Sequence, residues 1–532
     1  MLKNMPEKIK PWVALGFLSL GLAIVIIDNT VLNVALPYII IDLKTSLNAL
    51  EWVVSGYALI IATLLITMGR LGDLYGRKKI FLIGAVIFGT GSFIASIAPT
   101  VLWLFIGEAL IEAVGASMML TSSLALVAEI FSGKQRAIAF GVWGSVAGAA
   151  SALGPLLGGF LTTYYSWRWS LRINVFVVLI TLFGALFIPA HKNNQRKKLD
   201  IPSVVLSGLS LFTLVFAIIE GERFGWFRSA EILTLGNWRW PWMEISFIPF
   251  VFIAAVVFIF LFIRRQKKLA ISGGEPLLKL SLFKERNLSF GLVALFCLAA
   301  GQIGLFFLLP VFLQRVFDLS AFSIGKVFLM MSLPAFVVGP LGGFLTRRFG
   351  VKKMVLTGLF FLLAGLTILT NEIGLDARLL HLLPGLLVFG IGIGLSSAQL
   401  TNLIVSAAPL TLAGEASAAN ATVRQIGAAV GIAIFGLIFS LSFRQTLVAE
   451  LKAETAMPPV AKYFIVSSLE DPALSRRLRT ELQRSSDGGD SLMGGYVKIA
   501  LARAGKTAVG LTIVPVLFAI LAALKLKEKT SG

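Results

Sequence analysis

Charge is scarce in this 532-residue chain: Asp, Glu, Lys and Arg make up 14% of it, against roughly 25% in an ordinary soluble domain. Hydrophobic residues fill 57% and the mean hydropathy is +0.89. That much apolar surface exceeds what one globular core could hide, which excludes a large soluble protein and points to lipid. Cysteine is scarcer still. The single Cys297 cannot form an internal disulfide, and with only His191 and His381 beside it no ordinary structural zinc site can be assembled. Nucleotide signatures are missing too. The segment ALARAGKT at 500 to 507 imitates a phosphate loop with Ala500 in place of its first glycine, but no strand precedes it and an apolar span follows.

Long apolar runs are abundant. A bilayer core of about 30 Å needs about 20 helical residues, and fourteen stretches qualify. They are 12–40, 49–68, 80–98, 101–128, 137–162, 173–190 and 201–219, then 245–263, 288–314, 322–346, 354–371, 379–405, 416–441 and 507–525. The fold class this predicts is an all-α membrane protein with 14 transmembrane helices. The first stretch is too long for a signal peptide and reads as an uncleaved helix.

The net charge of +20 invites a nucleic-acid reading until the charges are placed. Alternating loops from an inside N-terminus puts 27 Lys and Arg inside and nine in short outside loops. A further ten fall in the long outside segment 442–506 and one, Arg424, inside a span. The bias predicts both termini in the cytoplasm and accounts for the basic excess as topology, leaving no nucleic acid as partner. The segment 442–506, with Pro458 and Pro459, reads as a small extramembrane hairpin or pair of short helices, and the polar stretch Arg264 to Arg286 as a boundary between halves.

An internal repeat supports two halves. GRLGDLYGRKK at 69–79 recurs as GFLTRRFGVKK at 343–353, matching Gly69 to Gly343, Leu71 to Leu345, Gly76 to Gly350 and the Lys pairs 78–79 to 352–353. Both copies fall in an inside loop between two spans, the arrangement of transporters whose halves rock about a central site.

With these residues in view, the chain resembles the fourteen-helix drug/proton antiporter branch (EmrB/QacA-type) of the major facilitator superfamily. IIDNTVLNVALP at 26–37 resembles that branch's first-helix signature, GRLGDLYGRKK the superfamily loop motif, and ALGPLLGGF at 152–160 the antiporter motif of helix five. WRWSLRINV at 167–175, PLLKLSLFKERN at 276–287 and GEASAANATVRQIGAAVGIAIFG at 414–436 are similar to its sixth-helix, linker and thirteenth-helix segments, in the right order. The resemblance implies an N-terminal six-helix bundle (1–198), an inserted helix pair (199–265), a cytoplasmic linker (266–287) and a C-terminal six-helix bundle (288–532). It also implies a multi-pass protein of a bacterial plasma or inner membrane, alternating access, and proton-coupled export of a small hydrophobic or cationic compound. A proton gradient would supply the energy, with no cofactor or metal, and a periplasmic partner is compatible with it. The alternatives are a dedicated exporter of one lipid or metabolite on the same fold and, further off, a transporter-like sensor or membrane transferase; nothing suggests catalytic residues.

Charges at membrane depth are functional candidates by default. Asp28, Glu108 and Glu112 could line a shared cavity of the first half and carry protons, Glu108 and Glu112 lying one turn apart on one helix face. Aligned on Gly115, Ala109 stands where the family carries an arginine and Glu112 where it carries a glutamine, so the usual proton-transfer partner is missing. Gly69, Arg70, Asp73, Gly76, Arg77 and Arg136 are assigned to an inside gate by the resemblance. Gly154, Pro155, Gly158 and Gly159 carry the antiporter motif, read as one small-residue face with Gly144 and Gly148 that forms a bendable seam between halves. Arg424 and Gln425 match the family's inner-interface pair, with Glu415 a nearby partner for Arg424. Arg172 and Lys326 are charges where apolar residues are expected, each a candidate to pair with an acid near the outer mouth.

Overall fold

A computed structural model of the protein describes residues 9–45, 47–184, 187–189, 199–235, 238–242, 244–317, 319–374, 379–453 and 492–527. Fourteen helices are long and apolar enough to cross a membrane, as the hydropathy predicts. They are α1 (Lys10–Asp42), α2 (Leu47–Tyr75), α3 (Arg77–Ser96), α4 (Val101–Ile130), α5 (Gly133–Tyr164) and α6 (Trp167–Gly184). Then come α7 (Ile201–Phe224), α8 (Ile248–Ile271), α9 (Arg286–Val316), α10 (Ala321–Phe349), α11 (Val351–Glu372) and α12 (Leu379–Ala407). The last two are α13 (Ala413–Ala453) and α14, whose segments Leu492–Leu511 and Ile513–Leu524 break at Thr512. Among the described residues the only strands are a two-residue ribbon, Thr234–Leu235 with Trp238–Arg239, in the α7–α8 loop.

Local chemistry sets the helix starts. Pro11, Pro202 and Pro249 occupy first-turn positions of α1, α7 and α8, where a missing N–H costs nothing. Asp200 and Ser320 accept the amides of Ser203 and Ser323 as N-caps of α7 and α10. The repeat is structural as well as sequential: Gly76 (φ 97°) and Gly350 (φ 85°) make the same tight turn between consecutive helices, in a region of backbone space that other residues rarely adopt.

One buried core joins α1 to α6 around Leu22, Phe81, Phe88, Met119 and Phe140. Another joins α9 to α14 around Leu298, Phe312, Leu362, Phe389 and Val516. The pair α7–α8 packs through Val215 and Ile218 on Leu59 and Ala62 of α2 and on Ala429 and Ala433 of α13, so it touches both halves. The outward face of α8, with Ile253, Val256 and Phe260 about 60% exposed, is suited to lipid.

At the basic-loop end Arg265 makes a bidentate ion pair with Asp200, at 2.7 Å for both bonds, tying α8 to α7. That pair holds the Asp200 carboxyl below the usual carboxylate range. A depressed folded-state value contributes stability that is present above the unfolded value of about 3.9 and is lost as pH falls through the folded value. Hydrogen exchange in the first turn of α7, corrected for intrinsic rates, is therefore expected to stay flat from pH 8 to pH 4 and to rise only in stronger acid. A rise near pH 6 would show that the pair does not hold this turn.

Two sequence expectations change. Helix α8 continues through Arg264 to Ile271, so the linker begins only at Ser272. The linker is also anchored, because the buried Gln266 accepts the amides of Leu277 and Leu278. The described ends of the 442–506 segment, 442–453 and 492–506, are two packed helices that continue the spans instead of forming short helices of their own, and the stretch between them lies outside the described residues. Helix α13 runs for 41 residues, about 60 Å at helical rise, and beyond the bilayer length Phe443, Leu447 and Leu451 pack on Val497, Leu501 and Ala504 of α14. The phosphate-loop imitation lies inside that second helix. His191, Pro458 and Pro459 lie outside the described residues, as does most of the stretch between α13 and α14.

Candidate functional site: a buried carboxyl cluster beside a two-bundle cavity

Asp28 on α1 and Glu108 and Glu112 on α4 converge inside the first bundle, each at most 1% exposed. One carboxylate oxygen from each lies within 4.8 Å of the other two. The asparagine of WRWSLRINV, Asn174 on α6, donates to Asp28 Oδ1 (2.6 Å) and to Glu112 Oε1 (3.2 Å). Ser92 on α3 donates to Glu112 Oε1 (2.5 Å). Tyr57 on α2, 2% exposed, lies beside Asp28.

Helix α4 is wound as a π-helix over Phe105–Glu112, and this wide turn carries both glutamates. It is pressed against α3 through glycines. A Cβ on Gly91 would stand 2.5 Å from the Glu112 nitrogen, and one on Gly107 would stand 2.6 Å from the Ala95 nitrogen. No Lys or Arg forms an ion pair with the three acids among the described residues. Three ionised carboxylates this close in a low dielectric would repel strongly, so the cluster must share protons or hold a cation.

The sequence expectation that the three acids meet is right, but they do not line an open cavity. The cavity, of about 820 Å³, lies between α1 and α5 of the first half and α9 and α10 of the second. It opens at the end opposite the basic loops, beside Tyr38, Thr163, Gln314 and Phe322. Its wall includes Phe160, Phe306 and Phe328 with the hydroxyls of Thr30, Ser151 and Thr162. Asp28 and Thr30, two residues apart on α1 and about 200° apart around it, place the cluster on one side of that helix and the cavity on the other.

At the basic-loop end the two halves are tied shut. Arg70 reaches Glu415 of α13 (3.3 Å) and Glu275 of the linker (2.8 Å), and Glu415 also accepts the Lys279 amide (2.7 Å). Arg77 pairs with Asp73 (2.9 Å) and Glu129 (3.0 Å) and donates to the Leu410 carbonyl across the interface. Gly69 lies against Gly414 and Ala418, and the Asp73 carboxylate sits against Gly414 in the first turn of α13, where the helix dipole favours an anion. Arg136 donates to the Phe131 carbonyl and to Ser406 of α12. With its contacts to α13, the linker and α12, the loop motif has the geometry of a gate.

The small-residue seam on α5 has two faces, not one. Gly141 and Gly144 meet Gly339 of α10 and Ala398 of α12, and Gly148 faces Ala335, whereas Gly154 and Gly158 meet Thr30 and Val31 of α1 within the same bundle. The spacing explains it. Gly144 and Gly148 are four residues apart, as are Gly154 and Gly158, but six residues from Gly148 to Gly154 turn the helix by about 240°. Pro155 lines the cavity, and Gly159 lines it too while facing Phe322 of α10, so the last glycine of the motif returns to the interface.

Other candidates separate. Arg424 forms no ion pair with Glu415, because nine residues set them about 180° apart on α13; it and Gln425 are half-buried. Arg172 stacks on Trp169 at 5.3 Å and Lys326 on Phe322 at 4.7 Å, and neither pairs with an acid among the described residues. The arginine that does pair near the outer mouth is Arg168, with Asp42 at 3.1 Å. Arg168, Ser92, Tyr57, Asn174 and Glu275 were not singled out from sequence. A lone amide in an apolar span was the available signal for Asn174.

A two-bundle helical membrane protein with a cavity between its halves, ion pairs joining them at one end and buried acids has the architecture of a transporter. The family model described as Major Facilitator Superfamily matches residues 18–220 and 203–432, and the chain belongs to the major facilitator superfamily. It is 32% identical over 445 residues to the multidrug efflux pump LfrA of Mycolicibacterium smegmatis, covering 82% of each chain. It is 32% identical over 501 residues to a probable actinorhodin transporter of Streptomyces coelicolor, covering 91% of this chain and 82% of that one. Among solved structures it resembles the human organic anion transporter MFSD10, with TM-score 0.59 and 14% identity, covering 97% of this chain and 100% of that one. The proton:xylose symporter XylE matches with TM-score 0.55, also at 14% identity, covering 89% and 96%. These structural likenesses carry the fold. The fourteen spans and the relatives named as drug exporters agree with the branch that the sequence motifs resemble.

Proposed function

We propose that the protein is a secondary exporter of amphiphilic or hydrophobic compounds, driven by inward proton flow and alternating access. Both termini are assigned to the cytoplasm of a bacterial plasma membrane, so the gate at Arg70 and Glu415 is the inner gate and the cavity opens outward. The two bundles move against each other, with the helix pair Ile201–Phe224 and Ile248–Ile271 and the linker that starts at Ser272 bridging them. The observation that carries this reading is the shared helix α1, with the buried acids on one face and the cavity wall on the other. A change in protonation that repacks α1 is felt directly in the cavity. The relative named as a multidrug efflux pump supports the direction of transport.

Purified protein in liposomes with an internal pH reporter and an imposed proton gradient, challenged with cationic dyes, aromatic compounds and lipid-like compounds, tests it. At least one class should provoke proton movement above the empty-liposome rate, and no response to any of them would sink the antiport reading.

A further inference from the structure

We propose that Asp28, Glu108 and Glu112 bind a dehydrated hard metal cation of Na⁺ or Ca²⁺ size, which enters the cluster in exchange for protons. This rests on the transport reading and deepens it by naming a second ion for the coupling site. Two oxygens each 2.4 Å from one ion can be no more than 4.8 Å apart, and one oxygen from each of the three acids meets that limit, which puts them within reach of an ion with Ca²⁺-like bonds of about 2.3–2.6 Å.

The oxygens that such an ion would meet are left over by the protein. Asp28 Oδ2, Glu108 Oε2, Glu112 Oε2 and the Tyr57 hydroxyl are all buried and have no hydrogen-bond partner. Buried polar atoms left in this way are rare, and here each of the three clustered acids carries one, as does the neighbouring Tyr57. The titratable groups that face one another here are Asp28 from α1, Tyr57 from α2, and Glu108 and Glu112 from α4. Helices α3 and α6 add only the donors Ser92 and Asn174. With no Lys or Arg in the cluster, positive charge has to arrive as protons or as an ion. Charge balances if one Na⁺ displaces one proton, or one Ca²⁺ displaces two.

The test uses full-length protein in nanodiscs of uncharged lipid and follows the thermal unfolding midpoint by tryptophan fluorescence. Choline, Na⁺, Li⁺, K⁺, Mg²⁺ and Ca²⁺ chlorides are compared at matched ionic strength, at pH 8 and pH 6. The expected result is a saturable upward shift of a few degrees in Na⁺ or Ca²⁺, larger at pH 8, with none in K⁺. Half-saturation should move at least about tenfold in Glu112→Gln and in Tyr57→Phe, the second of which leaves every carboxyl in place. No saturable shift in any metal chloride, or an unchanged shift in both variants, overturns the site. Proton movement in liposomes without cation binding removes this inference and leaves the exporter reading. Cation binding without transport does the reverse.

Discussion

Asp28→Asn should bring substrate-driven proton movement in liposomes down to the empty-liposome rate, a loss of at least about tenfold, while the protein still folds and inserts. The substitution keeps shape and keeps an oxygen for Asn174, which donates to Asp28 Oδ1 at 2.6 Å. It removes the one acid of the cluster that α1 carries, and with it the means by which a proton repositions the helix that lines the cavity. Folding should survive, because a neutral amide in this place relieves repulsion from Glu108 and Glu112 instead of adding it. Near-normal expression with lost coupling is the signature. Undiminished proton movement would remove Asp28 from the mechanism.

Arg70→Ala should open the gate. Arg70 is 4% exposed and ties α2 of the first half to two acids, Glu275 of the linker and Glu415 of α13. Removing one partner of a buried ion pair costs about 3–5 kcal/mol, because it strands the opposite charge. Glu415 retains only the Lys279 amide. A loss of even half that amount on the gate-closed side shifts the two-state balance at least about tenfold. In a Cys297→Ser background, a cysteine introduced at Ala418, which packs on Gly69 across the closed gate, should react with a membrane-impermeant thiol reagent at least about ten times faster in the Arg70→Ala variant. An equal rate would show that the clamp does not set the balance. Glu415→Gln, which leaves Arg70 paired with Glu275, should give a smaller effect of the same sign.

Much of the architecture was written in one dimension because the bilayer reads length and polarity directly. Each span needs only an apolar run of sufficient length, so fourteen runs give fourteen helices. The repeat was equally legible, since a turn that demands positive φ demands glycine, and Gly76 and Gly350 supply it. Register within a helix was partly legible. Glu108 and Glu112 share a face as their spacing says, but extending the four-residue rule from Gly148 to Gly154 across a six-residue gap misassigned half of the α5 seam. A hairpin or a pair of short helices was legible at 442–506, but its continuity with α13 and α14 was not, because charge on exposed helix faces looks like loop composition.

The sequence by itself determined the number of spans, the two-fold repeat with its basic loop motif and the presence of three costly acids at membrane depth. Each of these is a property of one segment, or of two segments compared by spacing. Only the tertiary structure decided which charges meet. It joined Arg70 to Glu415, 345 residues away, and left Arg424 out. It brought Asn174 and Tyr57 to the acids, and it set that cluster behind α1 instead of in the cavity. Partner choice among side chains depends on how helices are rotated and stacked, which is fixed by glycine contacts such as Gly91 on Glu112 and Gly154 on Thr30. Spacing along the chain does not contain that information.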